Sequence, residues 1–241
     1  MIEGKKVKML VAIQFYGDDR DVAMEVARLM ADVEEKRRMD TDFCFIRRFD
    51  TEADLDTEAY VAKKFRKVYS VRSKRREKGW PDGPNGIWHE LMTWCWIQVK
   101  DHAADWDVVL TTESDAVPTE RGWIDRLGAE WVKAQAEGKH MTGCLVCGQE
   151  NHYNGNALFD PRWMEFFPSM YGTPHKKSWD VYHAKAIMAA GRPTGAIFSD
   201  HQRNTITKDE LYRERGGVVP ALFHGTKDDS ARKIVMEEMN I

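Results

Sequence analysis

Two acidic residues stand one apart at the end of an apolar run, Asp107-Val-Val-Leu-Thr-Thr-Glu113-Ser114-Asp115-Ala-Val-Pro118. The run reads as a buried strand, and Pro118 stops it. A strand that ends on two carboxylates presents them at its C-terminal edge, where open α/β sheets hold their ligands. Glu113 and Asp115 can there share a hard divalent cation and leave its remaining positions to phosphate oxygens. The same residues also suit a plain turn or helix-capping device.

Two further groups of residues carry potential chemistry. His140-X3-Cys144-X2-Cys147-X4-His152 offers four zinc-type ligands in a short span. Leu145-Val146 between the cysteines reads as strand interior, however, and successive strand side chains point to opposite faces. The second group is the basic stretch Lys63–Lys78, preceded by Arg47 and Arg48 and interleaved with Phe65, Tyr69 and Trp80. Such a run is ordinarily a solvated face. Beside a ligand site it would bind phosphates, and its aromatics would stack on a base or sugar ring. There is no P-loop and no dinucleotide-binding fingerprint, which argues against kinases and dehydrogenases.

The elements that must position these residues alternate. Val7–Phe15 reads as a strand, with Asp18 and Asp19 capping a helix to about Lys36 whose apolar face includes Val22, Val26, Leu29, Met30 and Val33. Asp42–Phe49 and Lys67–Val71 read as strands around a helix at Thr57–Ala62. Gly79–Gly86 is dense in turn formers and reads as a loop. A helix over Ile87–His102, the acidic strand and a helix over Glu120–Glu137 follow. Residues 1–137 thus repeat strand and helix, the pattern of a parallel sheet with crossovers on both faces. The remainder is less regular, with strands at Met141–Cys147, Asn156–Phe159, Gly195–Phe198 and Val218–Phe223, and helices at Trp179–Ala190 and Asp228–Met239. The fold class expected is α/β, as one domain over 1–241 with a mostly parallel central sheet and mixed strands in the second half.

Composition narrows the class. Hydrophobic residues make up 42% of the 241, enough for a substantial core, and nine Trp suggest aromatic packing or flat ligand surfaces. A net charge of −3 gives no global pull to nucleic acid or membrane, so any basic surface must be local. No apolar run reaches bilayer length, no signal-peptide pattern opens the chain, and four cysteines fit reduced thiols. The chain reads as soluble and cytoplasmic.

With these elements placed, the chain resembles the GT-A class of nucleotide-diphosphosugar glycosyltransferases. The resemblance lies in ordered motifs over nearly the full length. At the first strand edge, Ala12-Ile-Gln14-Phe-Tyr16-Gly-Asp18 matches the segment that holds the nucleotide base. Gly83-Pro-Asn85-Gly-Ile-Trp88 resembles a Gly-rich turn lining the nucleotide-sugar site. Glu113-Ser114-Asp115 stands where the family has Asp-X-Asp. Asn154-Gly155-Asn-Ala-Leu-Phe159 resembles the turn between donor and acceptor. Ser178-Trp179-Asp180 matches a helix start whose last carboxylate is the catalytic base of inverting members. Phe223-His224-Gly-Thr-Lys227 resembles the C-terminal segment whose His completes the metal shell and whose Lys meets the diphosphate.

The resemblance implies a metal-dependent hexosyl or pentosyl transferase using a nucleoside-diphosphate sugar, with uridine diphosphate the commonest carrier. Asp115, Glu113 and His224 would hold Mn²⁺ or Mg²⁺, and Asp180 would be the base. Gln14, Tyr16, Gly83, Asn85, Ser114, Asn154, Gly155 and Lys227 would contact the donor, with residues 138–241 forming the acceptor half. The chain is also similar to phage-encoded enzymes of this kind that glycosylate hydroxymethylated pyrimidines in DNA, a reading in which Lys63–Lys78 meets the acceptor. A polysaccharide- or protein-directed transferase stays open. Because Glu113 and Trp179 depart from the family pattern, so does a non-catalytic sugar- or nucleic-acid-binding module.

Overall fold

The computed structural model describes residues 6–147, 151–171, 176–203, 205–215, 217–226 and 228–241. The first half runs β1 (Met9–Phe15), α1 (Arg20–Val33), β2 (Thr41–Arg47), α2 (Leu55–Val61), β3 (Val68–Arg72), α3 (Asp82–Lys100) and β4 (Val108–Glu113). Then come the two-residue β5 (Val117–Pro118), α4 (Trp123–Ala136), β6 (Met141–Val146), β7 (His152–Phe159) and α5 (Trp163–Phe166). The chain finishes with α6 (Trp179–Tyr182), α7 (Ala184–Ala190), β8 (Gly191–Pro193), β9 (Ile197–Arg203), α8 (Lys208–Leu211), β10 (Leu222–Thr226) and α9 (Ser230–Met239).

The main sheet has seven strands in the order β3-β2-β1-β4-β7-β6-β8, and β7 alone among them runs antiparallel to its neighbours. β1 is buried on both faces from Met9 to Ile13, as a central strand covered by helices on both sides must be. Its partners are in register at their carboxyl ends, with Gln14 opposite Glu113 and Phe15 opposite Arg47. A second sheet, β5-β10-β9, joins the segment after β4 to the C-terminal part of the chain.

Three readings from the sequence need correction. Residues Gly79–Gly86 are not a loop throughout: α3 starts at Asp82, so Gly83 and Asn85 lie in its first turn. Pro84 is compatible with a helix start, since a first-turn N–H has no intrahelical acceptor to lose. The stretch Trp179–Ala190 is two helices parted at His183. The late strand begins at Leu222 and extends to Thr226, which puts His224 inside β10. Val22 also departs from the expected core face. It is 38% exposed, while Val26, Leu29, Met30 and Val33 are buried.

Glu34, at the C-terminal end of α1, carries a cost of its own. Its side chain is buried, Oε1 has no hydrogen-bond partner, and Oε2 lies 3.7 Å from Arg38. Burial raises its pKa above the ordinary 4.5, although the Arg38 charge pulls the other way. The fold therefore disfavours the ionised form, and stability rises as falling pH protonates the group. Glu34→Gln should melt higher than the wild type at about pH 7, with the gain shrinking toward about pH 4. Thermal melts across that range check it, and a gain that persists in acid would contradict it.

Candidate active site at the carboxyl edge of the sheet

A cavity of about 480 Å³ opens at the C-terminal ends of β1 and β4. Its wall includes Gln14 near the end of β1 with Tyr16 and Asp19 beyond it, and Glu113 at the end of β4 with Ser114 and Asp115 beyond it. Gly155, Trp179, and Thr226 to Arg232 in part complete it from the second half. The volume suits a nucleotide-sized ligand.

The acidic turn and His224 meet because of strand pairing. β5 begins two residues after Asp115 and runs antiparallel to β10 with Val117 opposite Phe223. The pairing carries His224 back toward Asp115. Its Nε2 lies 3.0 Å from Asp115 Oδ1 and 3.1 Å from Glu113 Oε2, while Nδ1 is 2.8 Å from Ser199 Oγ. Among the described residues, these three are the one group of His, Cys, Asp or Glu side chains whose donor atoms converge, all within 4.8 Å. Two carboxylates and an imidazole could hold a divalent metal, and that set fits Mn²⁺ or Mg²⁺. Burial by itself would lower the His224 pKa. The Glu113 charge and hydrogen bonds to Asp115 and Glu113 override it and push the value up to about 10. A cation entering between these groups takes the place of that proton.

His224 depends on the glycine after it. Gly225 has φ +125°, and the pairing with β9 is irregular between His224 and Thr226. A Cβ at Gly225 would lie 2.5 Å from the Asp200 carbonyl carbon and closer still to its oxygen, both backbone atoms that cannot rotate away. Gly225→Ala is expected to cost about 3 kcal/mol and lower Tm by roughly 6–12 °C. Calorimetric melting checks this, and an unchanged Tm would show that β10 tolerates the side chain.

The other residues singled out in the sequence divide. Gln14, Tyr16, Ser114 and Gly155 line the cavity. At Gly155 a Cβ would come within 3.3 Å of Glu113 Oε1 and 3.6 Å of the Trp179 ring, so glycine keeps this wall open. Gly83 and Asn85 do not line it. Asn85 is buried and accepts the Trp179 N–H at 2.8 Å while donating to the Lys177 carbonyl at 2.9 Å. It holds the start of α6 against α3, and Trp179 stacks on Trp88 with ring centroids 3.8 Å apart. Asn154 is also behind the wall: its Oδ1 accepts from the Asn156 side chain, whose own Oδ1 receives the Glu113 N–H at 2.8 Å. Lys227 lies outside the described residues.

Asp180 is not part of the wall, although its neighbour Trp179 is. Its carboxylate is 4.0 Å from His152 Nε2. Burial raises its pKa above the ordinary 3.8, opposed by a Ser178 hydrogen bond and His152, and the Glu113 charge adds to the rise.

Asp19 was legible only as a cap in the sequence. In the fold it lines the cavity, accepts the Ser114 hydroxyl at 2.8 Å and takes the Tyr16 N–H at 2.7 Å. It ties the exit of β1 to the acidic turn. Arg232 on α9 also lines the cavity, and no motif pointed to it.

The zinc-type set does not assemble as a site. Cys144 is buried and Cys147 exposed, His140 lies 3.5 Å from Asp160, and His152 faces Asp180. The basic stretch also splits. Arg66 is engaged with Asp42 and Asp105, and Arg75 with Glu77 and His89. Arg76 and Lys78 gather over Phe49, and Arg48 lies over Tyr16 at the cavity. Trp80 beside them lines the cavity and is 78% exposed. No helix among the described residues is long and apolar enough to cross a membrane.

A mostly parallel seven-stranded sheet flanked by helices, with a small second sheet closing its carboxyl edge, is the fold of the GT-A glycosyltransferases. The galactosyltransferase LgtC, solved with donor and acceptor sugar analogues, superposes at TM-score 0.55 and 11% identity, over 97% of this chain and 96% of that one. The mannosyltransferase PcManGT from Pyrobaculum calidifontis, in complex with GDP-Man and Mn²⁺, aligns over 78% of this chain and 54% of that one (TM-score 0.51, 14% identity). TarS from S. aureus covers 97% of this chain and 39% of its own (0.55, 11%). At these identities the likeness is one of fold. No family profile matches the sequence, and no curated protein matches it either.

Proposed function

We propose that the protein is a metal-dependent glycosyltransferase that moves a sugar from a nucleoside diphosphate to an acceptor hydroxyl. The observation that carries this reading is the convergence of Glu113, Asp115 and His224 at a nucleotide-sized cavity on the GT-A sheet edge. These three side chains would hold Mn²⁺ or Mg²⁺. When bound, such a cation offsets the negative charge that grows on the departing diphosphate. PcManGT, which shares the fold, was solved with Mn²⁺ and a nucleotide sugar.

The chain's own groups do the rest. Gln14 and Tyr16 sit where the nucleoside would enter, and Ser114 and Gly155 line the path beside the acidic turn. Asp180 is the base that takes the acceptor proton, its raised pKa making it a better acceptor at neutral pH. Uridine diphosphate is the carrier to try first. A thermal-shift screen of nucleoside diphosphates with and without Mn²⁺ tests the reading, because a ligand that binds only the folded form raises the melting point. A shift that needs both components supports it, and no shift with any pair would defeat it.

For the acceptor we propose DNA bearing a hydroxymethylpyrimidine. Support comes from the rim, where Arg48, Arg76 and Lys78 gather and Trp80 offers an exposed ring to an unstacked base. Asp50 offsets part of this charge, lying 2.6 Å from Arg48 and 2.7 Å from Lys78. DNA binding should weaken with salt, and reversing Arg76 and Lys78 to Glu should lower the log–log slope by about 2. Equal slopes for both proteins would point to a polysaccharide or protein acceptor.

A further inference from the structure

Five carboxylates line the cavity among the described residues: Asp19, Glu113, Asp115, Asp228 and Asp229. Arg232 is the one cationic side chain among the described residues on that wall. A diphosphate cannot approach so many like charges unless positive charge faces it. One divalent cation on the acidic turn answers part of that need.

We propose that Arg232 is the protein's own counter-charge for the donor diphosphate, the task that motif similarity assigns to Lys227. The inference rests on the donor reading above. Arg232 is the third residue of α9, in the first turn, where the helix dipole disfavours a cation. Its ion-pair partner is Glu25 on α1, with Nη1 2.6 Å from Oε2; the Arg232 side chain is mostly buried, whereas that carboxylate is 62% exposed. So exposed a carboxylate offsets little of the cost of burying the guanidinium, whose Nη1 makes no hydrogen bond. A guanidinium kept against the dipole for so small a local return is accounted for by a ligand.

The neighbouring acids have partners of their own. Asp229 pairs with Lys233 at 2.8 Å, and Asp228 accepts from the Thr205 hydroxyl at 2.8 Å and from the Ser230 hydroxyl and N–H. A diphosphate in the cavity would meet the planar fork of Arg232 with two of its oxygens, a geometry a lysine ammonium does not offer.

The test is calorimetric titration of the full chain, first with Mn²⁺ alone and then with inorganic pyrophosphate at saturating Mn²⁺. R232Q should weaken pyrophosphate about tenfold or more. It should leave Mn²⁺ alone unchanged or tighter, because a positive charge has left the acidic cavity. A loss of pyrophosphate affinity without any loss of Mn²⁺ affinity cannot come from general loosening of the fold. E25Q, which removes the tether and keeps the guanidinium, should leave both affinities within about twofold. Should R232Q fail to fold, R232K decides: weaker pyrophosphate with intact Mn²⁺ binding is expected, and unchanged pyrophosphate overturns the assignment. An E25Q loss equal to that of R232Q also overturns it, reducing Arg232 to an α1–α9 brace. Wild-type protein that binds no Mn²⁺–pyrophosphate would instead remove the donor reading, and this inference with it.

Discussion

Asp115→Asn is expected to weaken Mn²⁺ about a hundredfold and to cut sugar transfer about a thousandfold, while the fold survives. On the proposed reading, Asp115 would be the ligand least able to be replaced. Its Oδ1 lies 3.0 Å from His224 Nε2, and its side chain is more buried than that of Glu113 (17% against 48% exposed). The amide keeps the shape but presents a neutral oxygen, which a hard cation holds poorly. Removing one carboxylate beside His224 also lowers the pull that keeps its ring protonated, so the ion-free protein should lose the part of its stability that this pair contributes. Electron paramagnetic resonance of Mn²⁺ reads the affinity, and release of nucleoside diphosphate reads the turnover. If D115N bound Mn²⁺ as tightly as the wild type, the acidic turn would not be a metal site.

Asp180→Asn should lower turnover by about a thousandfold and leave donor and metal affinity within about twofold. The change is nearly isosteric, and the N-terminal turn of α6 stays anchored through Asn85 and the Trp88–Trp179 stack. What disappears is a carboxylate beside the cavity whose burial makes it more basic than an ordinary aspartate. The two readouts separate catalysis from binding. A loss of donor affinity equal to the loss of turnover would make Asp180 a structural residue of α6. Wild-type turnover in D180N would move the base elsewhere, with Asp19 the first alternative because it lines the cavity and burial raises its pKa as well.

Much of the frame was legible in the chain itself. The apolar runs at β1, β2 and β4 announce buried parallel strands, because strands covered on both faces need no polar alternation. The acidic pair after β4 could be placed at the carboxyl edge for the same reason, and structure puts Glu113 beside Gln14 there. Local signals failed where contacts between distant segments decide. Asn85 looked like a ligand residue because its segment resembles the family's Gly-rich donor turn, yet its amide is satisfied by Lys177 and Trp179, more than ninety positions away. Val22 fits the apolar stripe of α1 but lies at its edge, facing the cavity.

Asp19 shows the same limit from the other side. An acid before a helix is ordinarily a cap, and nothing nearby in sequence reveals that it takes the Ser114 hydroxyl from ninety-five positions away. By itself, then, the amino-acid order determined the strand–helix alternation, the polarity of each segment and the acidic turn, since these follow from periodicity within a few residues. Only tertiary structure decided that β5 would pair with β10 and bring His224 to Asp115, and that Arg232 would face the same cavity. Those contacts span about a hundred residues, and chain closure over such distances is settled by packing of the whole sheet and not by any local preference.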